Sequence, residues 1–449
     1  MDKKTIAAIS TPLGKGGISV IRISGEKSID VADKVFKGKT PLKEKAGYTA
    51  EFGYTYKDEK ILDECVATVF KAPKSYTGED VVELSCHGGE IVTKLLLEEI
   101  LIKGASLASP GEFTKRAFLN GKLDLSEAEA VMSLINAKTE NAVNIAGKNK
   151  QGAVSKKMDE LKDRLTTLLS KVAVFCDYPD DESMGINQED FKSEIEFLLL
   201  NIQELLKNYE NGRILTSGID AVIIGKPNVG KSTLMNLLSG TDKSIVTNIP
   251  GTTRDIVESE INLFGLTIRL SDTAGLRNTD DLVEKLGVEK SLEALKNSEL
   301  ALFMFEAGSE ITENEAKLLQ EYKEKAVVIV NKIDLTDKNS EFLKEYNPVF
   351  ISAKNSIGLK ELYNTIKKKI NLFDFSPDAV IIDSIRQKNN LINSYNLLKE
   401  ANESLDSFVP LDAVGVLLDE AYANLCEITG DRAAVDVAER VFRDFCVGK

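Results

Sequence analysis

The sequence predicts an α+β domain over residues 1–120, an all-α helical domain in two pieces (121–217 and 375–449), and an α/β phosphate-binding domain, 218–374, inserted between those pieces. Three observations predict this. Short β-like runs alternate with turn signals and two helical stretches at the start of the chain. Apolar residues then recur every three or four positions on both sides of a middle segment. That middle segment opens with an apolar run, a Gly-rich turn and a helix-forming stretch.

In the first domain the β-like runs are 5–9, 18–23, 64–70 and 81–84, and the helical patterns are 28–36 and 90–103, the latter carrying Ile91, Leu95, Leu96 and Leu97. Arg22 and Glu83 interrupt two of these strands, and a solvent-facing position is the plain reading of each. His87, beside Gly88-Gly89 at a strand end, reads as a turn residue. From Leu125 the texture is helical. Ser126-Glu127-Ala128-Glu129 has the spacing of a capping box ahead of Val131, Leu134 and Ile135. Val154, Met158, Leu161, Leu165, Leu168 and Val172 mark one face of a long helix. The acidic, Pro-containing stretch Asp177 to Glu182 reads as a solvated connection, a third helix covers 191–210, and Asn211-Gly212 punctuates the entry into the inserted domain. After Leu372 helices are expected over 381–404 and 411–428.

At 449 residues the chain is too long for one compact core. Its 43% hydrophobic and 29% charged content is that of an ordinary soluble protein, no apolar run approaches the length of a membrane helix, and the start has no signal-peptide pattern, so a cytoplasmic location is expected. The net charge of −14 argues against a surface that coats nucleic acid, because such affinity comes from Lys and Arg. Five widely spaced cysteines without a C-x-x-C pair indicate neither a disulfide framework nor a zinc site, and a single histidine nearly excludes multi-His metal centres.

The chemistry concentrates after the run Ala221-Val222-Ile223-Ile224. Gly225-Lys226-Pro227-Asn228-Val229-Gly230-Lys231-Ser232, followed by helix-forming Thr233-Leu234-Met235, places backbone N–H groups and the positive end of a helix around one point, which suits a phosphate chain. Lys231 would reach the outer phosphates and Ser232 would give its hydroxyl to Mg²⁺. Asp272-Thr273-Ala274-Gly275 closes the strand-like run 266–271, bringing a carboxylate beside Mg²⁺ and a glycine N–H to the γ-phosphate. Asn331-Lys332-Ile333-Asp334 ends the run 326–330, and Ser352-Ala353-Lys354 ends 349–351. An Asp carboxylate accepts from both the ring N–H and the exocyclic amine of guanine, whereas adenine offers the wrong pattern, so Asp334 specifies GTP, with Asn331 and the Ser352 to Lys354 loop supporting the base.

These elements resemble a Ras-like P-loop G domain over residues 218–374. Leu276 stands where many relatives carry a Gln that orients the attacking water. A leucine cannot do that, so hydrolysis is slow or another polar group positions the water. Asp280, Asp281 and Glu284 supply alternatives that the residues alone do not separate.

The rest of the chain carries a wider likeness. Thr11-Pro12-Leu13-Gly14-Lys15-Gly16-Gly17 with Arg22-Ile23-Ser24-Gly25, Tyr76-Thr77-Gly78-Glu79-Asp80 through His87-Gly88-Gly89, Pro110-Gly111-Glu112-Phe113-Thr114, Arg116 to Asn120, and the final Phe445-Cys446-Val447-Gly448-Lys449 together resemble the MnmE (TrmE) family of tRNA-modification GTPases. The resemblance implies a folate-binding, dimerising N-terminal domain and a G domain activated by nucleotide-dependent pairing with K⁺. It implies GTP contacts from Asn228 through Thr233, from Thr247, Asn248, Ile249, Pro250, Gly251, Thr252 and Thr253, and from the strand-end motifs already named. It assigns K⁺ to Asn228, Thr247, Ile249 and Thr252, Mg²⁺ to Ser232 and Thr253, and the water-orienting role to Glu284. A cation fixed against the phosphates would stabilise developing charge where other G proteins use an arginine finger. Arg22, Glu83, Lys122 and Lys449 match contacts to a 5-formyl- or methylene-tetrahydrofolate, and Cys446 matches a cysteine implicated in the modification chemistry. The implied assembly is a homodimer joined by two subunits of the FAD- and NADH-dependent partner MnmG, acting on C5 of the wobble uridine of certain tRNAs. An Era-like ribosome-assembly switch is the rival; it calls for a basic KH module after the G domain, and the sequence has no such segment.

Overall fold

The computed structural model describes residues 4–177, 188–240, 258–263, 265–272, 292–336, 341–370, 379–407, 409–432, 441–443, 445 and 448. They form two compact units. One comprises Met1–Met132, Lys148–Gln203 and Ile385–Lys449; the other comprises Ser133–Gly147 and Glu204–Ser384. The second therefore extends beyond the Gly-rich segment and takes in stretches of helix on its N-terminal side.

The first unit holds β1 (Ile6–Ile9), β2 (Ile18–Ser24), β3 (Phe36–Gly38), β4 (Thr49–Lys57), β5 (Lys60–Phe70), β6 (Val81–His87) and β7 (Ser106–Leu107) in one seven-stranded sheet of order β3-β4-β5-β6-β2-β1-β7. All pairs are antiparallel except β1 with β7. Period-two alternation decides which face is covered. Ile21, Ile23, Ala67, Val69, Val82 and Leu84 turn inward with Leu96 and Ile100 of the helix Glu90–Ile102. The opposite face carries Arg22 and Glu83 together with exposed Ile18, Phe52, Tyr54, Ile61 and Val66.

The expected long helix is present as Ala153–Asp177, and Val154, Met158, Leu161, Leu165, Leu168 and Val172 are all buried. Two further helices, Ile385–Asp406 and Leu411–Thr429, complete the bundle. The capping box lies two residues earlier than the Ser126 spacing suggests. Asp124 Oδ1 accepts from Glu127 N–H at 2.8 Å, and Glu127 Oε2 accepts from Asp124 N–H at 2.9 Å. A carboxylate at the cap also complements the positive end of the helix, and in this register Glu129 receives Arg386 instead. The chain's end returns to the sheet. Phe442 and Phe445 pack on Leu125 and Ala128, and Gly111, at φ 68°, allows the approach: a Cβ there would lie 2.5 Å from Phe442 O.

The second unit is built on β8 (Ile219–Ile224), β9 (Glu258–Leu263), β10 (Leu266–Asp272), β11 (Leu300–Glu306), β12 (Ala326–Asn331) and β13 (Val349–Phe350), in the order β13-β12-β11-β8-β10-β9. All pairs are parallel except β9 with β10. Continuous apolar runs such as Ala221-Val222-Ile223 fit strands covered on both faces. Asn211-Gly212 does not end the preceding helix, which continues to Ser217. Gly212 is there because Ile381 packs on it, a Cβ being placed 2.2 Å from Ile381 Cγ2. Gly218, at φ 76°, makes the actual stop. Among the described residues no helix is long and apolar enough to cross a membrane.

Candidate functional site

β8 lies inside the parallel sheet between β10 and β11, and its C-terminal end delivers Gly225 to the sheet edge where such folds bind ligands. Gly225 has no room for a side chain, because a Cβ would sit 2.3 Å from Met304 O. Asn228 is left-handed at φ 63°, which Asn tolerates better than most residues. Gly230 has φ 106°, and a Cβ there would meet Asn331 Nδ2 at 2.3 Å. The helix Lys231–Gly240 starts at once, so the N–H groups of its first turn face the loop.

Lys231 is buried, and its Nζ donates to Gly225 O at 2.6 Å and to Lys226 O at 3.0 Å. The ammonium is thus already desolvated and held over its own loop. Ser232 and Thr233 are exposed at the helix start. Asp272 is the last residue of β10, aligned with Ile223 of β8, which puts its backbone at the same edge as the loop. The exposed Ser232 hydroxyl is a hard oxygen donor of the type that Mg²⁺ takes when it keeps most of its shell from phosphates and water.

Asn331 joins the phosphate and base elements. Its Nδ2 donates to Val229 O at 2.7 Å and its Oδ1 accepts from Ala353 N–H at 2.9 Å, with the side chain buried. Asp334 stands exposed beyond it. A hydrogen bond from Ser352 holds its carboxyl below the ordinary 3.8, with the ammonium groups of Lys354 and Lys332 adding to the effect. Lys332, left-handed at φ 65°, pairs with Glu306 at the end of β11 at 2.8 Å. Lys226, within the Gly-rich loop, donates from Nζ to Glu310 O at 3.0 Å and pairs with Glu315 at 3.1 Å, a contact that the loop motif does not announce. Thr312 and Glu315 form a full capping box, and that Thr-x-x-Glu spacing was the available signal.

Thr247, Asn248, Ile249, Pro250, Gly251, Thr252, Thr253, Thr273, Ala274, Gly275, Glu284, Cys446 and Lys449 lie outside the described residues.

A second polar centre lies on the open face of the first sheet. Arg22 and Glu83 are cross-strand neighbours, and both Nε and Nη2 of Arg22 lie 2.8 Å from Glu83 Oε1. The pair is largely enclosed rather than solvent-facing, because the guanidinium lies 5.2 Å from the Tyr76 ring centre and 5.6 Å from that of Phe113. Gly448 O accepts from Arg22 Nη1 at 3.4 Å and from Ser10 Oγ at 3.2 Å, so the C-terminal tail reaches this pair. Lys122 donates to Pro73 O at 3.3 Å and lines a polar cavity of about 290 Å³ with Asp124, Glu127, Thr429 and Asp431.

His87 closes β6 against Asp63, with Nδ1 to Oδ1 at 2.7 Å and the His87 N–H donating to Oδ2 at 2.7 Å. The carboxylate raises the imidazole above its ordinary 6.5. Its stabilising contribution is full below that value and fades as pH rises through the folded-state pKa. As this is the single histidine of the chain, one proton NMR titration reads it: the midpoint is expected above 6.5 and to fall back in Asp63→Asn.

A family model described as the MnmE helical domain matches residues 125–446, and one described as the GTP-binding protein TrmE N-terminus matches residues 5–122. The chain is 42% identical over 454 residues to a tRNA modification GTPase MnmE of Acetivibrio thermocellus, covering 99% of each. It is also 42% identical over 463 residues to that of Carboxydothermus hydrogenoformans, covering 100% of each. With family models matching both parts of the chain and relatives 42% identical over its length, the chain belongs to the MnmE family of tRNA modification GTPases.

Proposed function

We propose that the protein hydrolyses GTP in tRNA modification and that, with MnmG, it installs an aminomethyl or carboxymethylaminomethyl group at C5 of the wobble uridine, drawing the one-carbon unit from a tetrahydrofolate. The observation that carries the nucleotide half is Asn331, which ties the phosphate loop to the loop beside Asp334. Phosphates binding at the helix start replace the Gly225 and Lys226 carbonyls as partners of Lys231, so a buried cation exchanges one set of oxygens for another at little reorganisation. Mg²⁺ held by Ser232 and Thr253, and K⁺ held by Asn228, Thr247, Ile249 and Thr252, would supply positive charge against the phosphates. Glu284 would orient the attacking water in place of a residue at Leu276.

The folate half draws support from Arg22, Glu83 and the tail that reaches them: a cation suits the folate's carboxylate and Glu83 accepts from the donor-rich pterin ring. The open sheet face with Phe52, Tyr54, Ile61 and Val66 supports a homodimer through the N-terminal domain. An Era-like switch gains no support, since two long helices follow the nucleotide unit where a KH module would stand.

Mass analysis of tRNA from a deletion strain tests the reading, the expected result being loss of the C5 substituent and its return only with a chain competent in hydrolysis. Retention of the substituent would exclude it. In vitro, hydrolysis is expected to run about tenfold or more faster in K⁺ than in Na⁺ at equal ionic strength, the scale of one well-placed charge. Equal rates would remove Asn228 as a cation ligand.

A further inference from the structure

The segment 71–80, between β5 and β6, folds back over the open face of the first sheet. Arg22 and Ser24 lie two apart on β2, so both belong to that face. The segment sets the Tyr76 ring 5.2 Å from the Arg22 guanidinium, Thr77 Oγ1 lies 2.8 Å from Ser24 Oγ, and Glu79 Oε2 accepts from that hydroxyl at 2.9 Å. The helix Glu112–Leu119 supplies the rest of the frame. Its Phe113 ring lies 5.6 Å from the guanidinium, its Thr114 Oγ1 lies 2.8 Å from the Tyr76 hydroxyl, and its Arg116 Nη1 donates to Glu79 Oε2 at 3.0 Å. Arg116 Nη2 in turn holds Glu112 Oε1 and Lys4 O, each at 2.8 Å.

The same segment also reaches Lys122. Asn120 Nδ2 donates to Thr77 O at 2.7 Å, and Lys122 Nζ donates to Pro73 O at 3.3 Å. Gly78, left-handed at φ 78°, has the Lys122 stem against it, since a Cβ there would lie 3.4 Å from Lys122 Cγ. One loop thus touches Arg22 at Tyr76 and Lys122 at Pro73 and Gly78, so its conformation sets the spacing of the two cations. A spacing fixed in advance favours binding, because ordering a loop around a ligand costs affinity. Glu79 and Arg116 are what fix it. Their side chains are only 11% and 13% exposed, and together they tie the loop to the strand that carries Arg22 and to the helix that carries Phe113. Such an enclosed pair adds little net stability over apolar residues of similar volume, but a planar guanidinium fork dictates direction.

We propose that Glu79 and Arg116 are positioning residues for the Arg22 site, fixing through the loop between them the spacing of Arg22 and Lys122 and with it the affinity for a reduced folate. The proposal deepens the folate reading and rests on it for its ligand.

The test titrates the full chain with 5-formyltetrahydrofolate by calorimetry, in the native and the Lys122→Met backgrounds. Glu79→Met and Arg116→Met are expected to weaken binding about tenfold in the native background and by no more than about twofold beside Lys122→Met, the scale of coupling within one network. Glu79→Gln, which keeps an acceptor for both donors, should stay within about threefold of native. GTP turnover, at a distant site, should keep its kcat within about twofold. Backbone hydrogen exchange at residues 75–80 is expected to quicken about tenfold in the two Met variants while β2 and β6 keep their native rates. A merely structural role predicts equal losses of affinity in both backgrounds, faster exchange along β2 and β6 and a lower unfolding midpoint, and that outcome overturns the proposal. So does native affinity in both Met variants. A native chain that binds no folate defeats the folate reading alone; exchange then decides the positioning role, which local acceleration at 75–80 upholds and native or uniformly raised rates end. Should a single Met variant fail to fold because its partner's charge is left enclosed, the Glu79→Met/Arg116→Met double variant, which removes both charges, decides it.

Discussion

Lys231→Met is expected to lower the rate of GTP hydrolysis by about a thousandfold, the upper range for removing one charge-stabilising donor from an enclosed site. The ammonium is buried and bonded to the carbonyls of Gly225 and Lys226, so it is desolvated before any ligand arrives, and its interaction with phosphate oxygens is correspondingly strong. Methionine keeps the length and apolar body of the stem, which leaves the contacts around the Lys231–Gly240 helix intact and confines the change to the charge. The unfolding midpoint should therefore stay close to native while hydrolysis is lost. Single-turnover hydrolysis beside thermal unfolding checks both, and the wobble-uridine substituent should disappear from tRNA in a strain carrying this variant alone. Hydrolysis at an undiminished rate would remove Lys231 from the site.

The nucleotide half of this molecule is legible in sequence because its chemistry sits where apolar runs stop. Gly225, Asp272 and Asn331 each fall at the end of a parallel strand, and a strand's end is marked by the same change of residue type that carries the proposed chemistry. The first sheet is less legible. β4 places Gly53 and Thr55 inward and leaves Phe52 and Tyr54 exposed, the reverse of the apolar-in pattern, so alternation alone does not announce it as a strand. Asn211-Gly212 looks like punctuation only because the approach of Ile381, distant in sequence, cannot be read from the local string. The Ser126 spacing misleads for a related reason: two boxes compete two residues apart, and the one capped by Asp124 forms while Glu129 receives Arg386. Long-range partners of this kind, like Lys226 with Glu315, leave no periodic trace.

Asp334→Asn is expected to weaken GTP binding a hundredfold or more, and to favour xanthosine triphosphate by a comparable factor, because a site built on specific hydrogen bonds penalises a mismatched partner heavily. The native carboxylate is kept ionised by the Ser352 hydroxyl and by Lys354 and Lys332, so at neutral pH it offers two acceptors to the two donors of guanine, the ring N–H and the exocyclic amine. An Asn amide offers one acceptor and one donor group. Against guanine its NH₂ meets the exocyclic amine, donor to donor, and leaves both without a partner in a site that water reaches poorly once the base is bound. Xanthine carries an oxygen at that ring position, and the amide then matches it and the ring N–H together. The neighbouring loops stay in place, because Asn331 holds Val229 and Ala353 by bonds that do not involve Asp334. Competition of each triphosphate against a fluorescent GDP analogue measures the change. Loss of affinity for both nucleotides alike would mean that Asp334 acts through loop structure rather than through the base, whereas a reversal of preference can arise only if its carboxylate touches the ring.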